Sequence, residues 1–379
     1  MGFVNVIKQN LINIPGWRTN RKIVVIESDD WGSIRMPSKE ILSKLEKKGY
    51  IPKNDKYNRF DSLASGDDLT NLFEVLDSVK DKNNNPAILT ANTIVANPDF
   101  KKIEDSGFKE YYYELFTDTL KNYPEHSNSF SLWKKGIEES VFYPQFHGRD
   151  HVNVNYWLKK LNDNDKLATI AFKNKLLGLR DLKNVNSREY YYMRALDYRD
   201  KYDLEFKINS IKEGLQIFNS IFGYNSSSFI APSYVWDDKI EMVLKENNVN
   251  YIQGIRYQKK PIIGREKLKN TIHYLGKKNM HKQIYLIRNA FFEPSLVKSN
   301  HIVEETLRRI EIAFKWKKPA IIGSHRLNYI GFINKNNRDT NLILLKTLLK
   351  RLIKKWPEIE FMTSDELGKL IDNNETSNT

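Results

Sequence analysis

The chain contains no cysteine among its 379 residues. That excludes disulfides, thiolate nucleophiles and thiolate metal ligands, and it fits a reducing compartment. Nor does any stretch approach the roughly 20 apolar residues that a membrane-spanning helix requires. The opening "MGFVNVIKQNLINIPGW" lacks both a continuous apolar segment and a small-residue cleavage site, so it does not read as a signal peptide, and a cytoplasmic location is expected. Histidine is scarce, at seven residues, so any metal site must draw on few imidazoles together with carboxylates. Gly/Ser-rich and Pro-rich linkers and internal repeats are missing too. The expectation is one domain over residues 1–368, followed by a disordered tail at 369–379.

What is present is a core-forming composition, 40% hydrophobic and 12% aromatic. Sixty-one Lys and Arg against 47 Asp and Glu give a net charge of +14. Such an excess fits an anionic partner, whether a phospholipid surface or a phosphate-linked substrate. It fits a Lys- and Asn-rich composition equally well. The basic residues read as spread along the chain, and no nucleic-acid-binding signature appears, so nucleic acid is not expected as a partner. The stretch 340–356 is a basic amphipathic helix. It suits an outer helix packed on a sheet or peripheral contact with an anionic membrane.

Short apolar runs recur at 22–28, 87–95, 141–147, 228–233, 250–255, 283–290, 319–325 and 359–364. Helical patterns at 38–49, 67–81, 237–248, 302–316 and 340–356 lie among them. This alternation predicts parallel strands with helical crossovers, as a barrel or a doubly wound sheet. Residues 152–222 break the rhythm with long helical patterns and read as an insertion on the rim. Its aromatic cluster "EYYYMRALDYRDKY" (189–202) is either core or a sugar-stacking surface.

Several strand ends carry chemistry. "IVVIESDDWG" brings Asp29 and Asp30 to the end of the first strand. "FHGRDH" places His147 and His151 four apart where a strand gives way to a helix. "AIIGSH" ends on His325. In a parallel barrel the strand ends surround one cavity, so distant positions become neighbours. One carboxylate and two neutral imidazoles form a three-ligand site for a divalent ion with positions left open. A second carboxylate can take a proton from water, and a further histidine can protonate a leaving group. That set describes a hydrolase for acyl bonds. Individually the parts have ordinary readings: a capping turn for Asp29 and Asp30, an exposed helix start for His151, a buried histidine for His325.

Together these motifs resemble the polysaccharide deacetylases, the NodB-homology carbohydrate esterases. The likeness spans roughly residues 22–368 outside the insertion. It implies an α/β fold, a distorted (β/α)7-8 barrel with a helical insertion. By family logic "SDDWG" supplies the base, Asp29, and a metal ligand, Asp30, while "HGRDH" supplies ligands His147 and His151. His325 becomes the acid. "IAPSY" matches the turn that helps hold an oxyanion, through Pro232 and Tyr234, and Trp31 either floors the substrate pocket or sits in the core. The cofactor implied is a divalent metal, zinc first, with cobalt, nickel or manganese as alternatives.

Two family elements have no match. Ile230 stands where an arginine normally tethers the base, leaving Arg256, Arg149 and Arg35 as candidates from other strand ends. The acidic partner that orients the acid histidine is also missing near "YIQGIRYQ". The function implied is metal-dependent removal of acetyl groups, N-acetyl before O-acetyl, from a sugar or a surface-polysaccharide precursor that is lipid- or nucleotide-linked. A catalytically inactive carbohydrate-binding protein on the same scaffold is the alternative.

Overall fold

Each of the eight apolar runs forms a strand in the computed structural model, which describes residues 3–179, 192–297 and 301–376. The strands are β1 (Lys22–Trp31), β2 (Leu89–Ile94), β3 (Phe142–Gly148), β4 (Ser228–Ile230) and β5 (Tyr251–Gly254). Beyond them come β6 (Ile284–Ile287), β7 (Ala290–Phe291), β8 (Ala320–His325) and β9 (Ile359–Met362). All nine lie in one sheet, in the order β6-β5-β4-β3-β2-β1-β8-β7, with β9 on the first half of β1. Every pairing in it is parallel.

The run 283–290 accounts for two strands because it changes partners midway. β6 pairs with β5 and β7 pairs with β8, at opposite ends of the sheet order. Between them, Arg288 donates its backbone N–H to Gly254 and Asn289 donates its own to Ile321. One short stretch therefore joins both edges, and the sheet closes into a distorted (β/α) barrel without leaving a free edge at this seam.

Side chains alternate along β1 in the usual way. Val24 and Ile26 join the main core beneath the surrounding helices. Ile23 and Val25 instead meet Tyr251, Ile284, Leu286 and Ile321, with Leu367 and Ile371 of the C-terminal helix. Glu27 and Asp29 continue this second face, so the barrel interior passes from apolar to polar along the strand. Its polar half is a hydrogen-bonded network. Gln145 accepts from Ser228, Gln253 donates to Ser228, Asn92 donates to Gln253 and to Asp29, and Ser364 donates to Glu27.

The segment 152–222 contains helices at Val154–Asn162, Lys166–Lys173 and Lys201–Phe222, with turns and irregular chain at 174–179 and 192–200. Residues 189–191 of the aromatic cluster lie outside the described residues; Tyr192 and Tyr198 are buried, and Tyr202 is exposed. The basic helix starts earlier than its pattern suggests, running Lys335–Lys355, and it buries Leu342, Leu345, Leu348, Leu349 and Leu352. Its apolar face is thus spent on the core. The tail expectation needs correcting: residues 369–376 continue the helix Ser364–Thr376, anchored by buried Leu367 and Ile371.

Candidate metal centre and its neighbours

The pairing of β1 with β2 slips between Ser28 and Trp31: Ser28 faces Ala91 and Trp31 faces Thr93. Two residues, Asp29 and Asp30, therefore oppose the single residue Asn92. This is a β-bulge, and Asp30 adopts a left-handed backbone conformation within it, with φ 74°. In a regular strand adjacent side chains point to opposite faces; the bulge lifts that restriction and brings both carboxylates to one end of the barrel. β3 slips similarly, with Phe146 facing Thr93 and Gly148 facing Ile94, so that His147 is its extra residue.

Asp30, His147 and His151 converge. All three are buried, and one ligand atom from each lies within 4.8 Å of the others. Asp30 Oδ1 is 2.9 Å from His151 Nε2 and 3.5 Å from His147 Nε2. His147 Nδ1 donates to the Ile230 carbonyl at 2.8 Å, which fixes the tautomer and leaves the Nε2 lone pair facing Asp30. That Nε2 is buried with no hydrogen-bond partner. An orphaned inward lone pair beside a carboxylate and a second imidazole is the donor set of a divalent ion. Burial opposes the charge on Asp30, yet His151, when its Nε2 carries a proton, holds the carboxyl well below the usual range. Burial lowers His151 against the pull of Asp30, favouring the neutral ring that a metal needs.

Asp29 has different company. Arg288 donates to both its oxygens, at 2.7 and 2.6 Å, and Asn92 adds a third bond at 2.8 Å. The same guanidinium donates from Nε to Glu27 at 2.6 Å. Burial alone would raise the Asp29 carboxyl, but Arg288 brings it down to about 2. Asp29 is directly opposite His325 in the β1–β8 register, with His325 Nε2 3.9 Å from its Oδ2. His325 Nδ1 lies 2.5 Å from Glu293, which Asn328 also binds at 2.7 Å. Burial works against protonation of His325, but Glu293 raises it to about 10.

Arg288 and Glu293 are absent from the sequence-based candidates, and they occupy the two gaps that those candidates left. Both come from "YLIRNAFFEP". Of the suggested arginines, Arg149 pairs with Asp150 and Glu213, and Arg256 donates to the Leu11 carbonyl. Arg35 approaches the other carboxylate, with Nη2 4.0 Å from Asp30, and it also faces Asp61. None of the three holds Asp29. Trp31 does not floor a pocket: beyond the bulge the alternation reverses, so the indole packs on Trp133 and Phe142 in the helix-side core. Tyr234 sits beside the site, its hydroxyl 3.1 Å from Arg288. Its backbone N–H, however, closes a turn on Ala231 at 3.0 Å. Pro232 begins that turn and is buried.

No family model and no curated protein matches the sequence. Among solved structures, a provisionally described polysaccharide deacetylase from Mycobacterium smegmatis is 8% identical, with TM-score 0.46, covering 95% of this chain and 94% of that one. A CE4 family pseudoenzyme from Bacillus anthracis is 9% identical, with TM-score 0.37, covering 90% of this chain and 64% of its own. The 4-alpha-glucanotransferase of Thermococcus litoralis is also 9% identical, with TM-score 0.45, covering 91% and 40%. These are likenesses of fold. A fold does not fix a function, so the site must carry the functional argument.

Proposed function

We propose that the protein is a divalent-metal-dependent hydrolase that removes acetyl groups, N-acetyl in preference to O-acetyl, from a sugar or a surface-glycan precursor. The observation that carries this reading is the bulge, which gives adjacent carboxylates separate partners. Asp30, His147 and His151 would hold the ion, and zinc suits two imidazoles and one carboxylate. When bound, such an ion acidifies water and polarises a carbonyl.

The chain's own groups divide the remaining work. Asp29, ionised and held on two sides by Arg288 and Asn92, accepts a proton from the attacking water. His325, held in its protonated form by Glu293, delivers a proton to the departing sugar amine. The alternative of an inactive sugar binder drew on a missing arginine and a missing acid; Arg288 beside Asp29 and Glu293 beside His325 support the enzyme reading over it.

The test is acetate release from N-acetylated chitooligosaccharides by metal-loaded protein, with metal content measured in parallel. Turnover that disappears in Asp29→Asn while the metal remains supports the enzyme. Glycan binding without metal or turnover would establish the binder instead.

A further inference from the structure

The net charge of +14 is not evenly distributed. Residues 1–22 hold four Lys or Arg and no acid, and residues 256–282 hold nine with one acid, Glu266. Those two stretches carry twelve of the fourteen excess charges, and the fold joins them. Arg256 donates to the Leu11 carbonyl at 2.7 Å, and Trp17 N–H donates to Leu275 at 2.9 Å. Lys318 binds the carbonyls of Pro15, Gly16 and Trp17, which pins the end of the N-terminal helix Phe3–Asn13 to the barrel.

Most of the exposed large hydrophobic side chains among the described residues also lie in these two stretches. In the hairpin of Tyr257–Lys260 with Lys269–Ile272, Tyr257 faces Ile272 and Lys259 faces Asn270, and all four are exposed. Tyr257 and Ile272 are 49% and 51% exposed, and Tyr274 continues their face. Ile7, Leu11 and Ile14 are exposed on the adjoining N-terminal segment. Lys8, Lys259, Lys267 and Lys269 are exposed among them, while Lys260 and Lys278 pair with Asp238 and Asp372. The hairpin leaves from the end of β5, and Trp236, two residues past Tyr234, donates its N–H to Lys259. The hairpin thus begins at the strand-end face that carries the metal centre.

We propose that the N-terminal helix and the hairpin 257–272 form one docking surface for an anionic lipid bilayer. Interfacial binding combines buried apolar area with attraction between basic side chains and anionic headgroups. This face offers both, and its exposed Tyr257 and Tyr274 are of the residue type whose amphipathic ring is favoured at a membrane–water interface. A nucleic acid would use the cations but leave the aliphatic side chains in water, and a second copy would bring like charge to like charge. No helix among the described residues is long and apolar enough to cross the bilayer, so the contact is peripheral. The proposal does not depend on the hydrolase reading.

Cosedimentation of the full chain with phosphatidylcholine vesicles, with and without phosphatidylglycerol, tests it. Binding should require phosphatidylglycerol. Lys259→Glu with Lys269→Glu should weaken partitioning roughly tenfold or more. Tyr257→Ser with Ile272→Ser should leave only a residual binding that added salt removes. These are surface positions, and circular dichroism and melting verify that each variant is folded. Failure to bind phosphatidylglycerol vesicles, or wild-type binding by both double variants, would overturn the proposal. So would double-stranded DNA that displaces the vesicles and binds the Tyr257→Ser, Ile272→Ser variant undiminished. Asp30→Ala run alongside should bind vesicles normally, which separates this outcome from any failure of the hydrolase reading.

Discussion

Around Asp29 the partners are a fixed cation and an amide, Arg288 and Asn92. Around Asp30, one residue later, they are two imidazoles with ring nitrogens facing inward. The backbone difference between the two positions is one bulged residue and a φ of 74° at Asp30. Strand alternation would have sent one of these side chains into the helix-side core. The bulge instead gives the barrel two carboxylates of one sign and two characters: one locked in place and ionised, the other arranged with donors that a cation can join.

The sharpest way to break the comparison is to exchange charge at each position in turn. Asp29→Asn should lower turnover by about 100-fold to 10,000-fold, the range for losing a general base. Asp29 hydrogen-bonds Arg288 and Asn92 and none of the three ligands, so metal affinity should change by less than the roughly tenfold that marks loss of a ligand's own partner. Asp30→Asn should show the reverse order of events, with metal lost first and turnover lost as a consequence. Isothermal titration with zinc, beside acetate release, reads both. Equal metal affinity in the two variants would erase the distinction.

The second effect falls on stability. Arg288 pairs with Glu27 and Asp29 in a site where all three are buried. Arg288→Met strands both acids and should cost about 3–5 kcal/mol in denaturant unfolding. Glu27 is already pushed up by burial against the pull of Arg288, so losing that pull leaves an acid with little reason to ionise. A loss below about 1 kcal/mol would mean that the guanidinium is not the keystone of this network.

The sequence showed the barrel and most of the centre because those features are local. Apolar runs mark strands, and Asp-Asp, H-x-x-x-H and a terminal histidine stand at their ends. Arg288 and Glu293 were hidden by a non-local event, the change of partner between β6 and β7. Read as one strand, 283–290 makes Arg288 an interruption; in the barrel it is the residue at the seam, reaching β1. A signal was available in the charged residues set inside apolar runs, Glu27 in "IVVIES" and Arg288 in "YLIRNA". Trp31 is ambiguous between pocket and core in the sequence because the bulge reverses alternation, and no pattern of residue types announces a bulge. The charge was misread as dispersed because its two basic stretches, more than 230 residues apart in the chain, meet only on folding.

Asn92 tests the bulge at lower cost. It is the lone residue opposite the two aspartates, and its amide bridges Asp29 and Gln253. Asn92→Ala removes that donor from two buried acceptors and should destabilise the fold by about 1–3 kcal/mol. Arg288 would still hold Asp29, so turnover should fall less than in Asp29→Asn.

The smallest expected change separates Asp29 from the histidine it faces. Glu293 touches His325, not Asp29, and Asn328 holds its second oxygen. Glu293→Gln keeps the shape and one acceptor for the Nδ1 proton but removes the charge that favours protonated His325. If His325 is the proton donor to the leaving amine, turnover should fall about tenfold, a part of the full value of an acid catalyst. KM and metal content should hold. A sugar with an activated leaving group needs little protonation, so on such a substrate Glu293→Gln should approach wild type while Asp29→Asn stays inactive. Equal losses on both substrates would make Glu293 a structural support, and the division of labour would then end at Asp29 and Asp30.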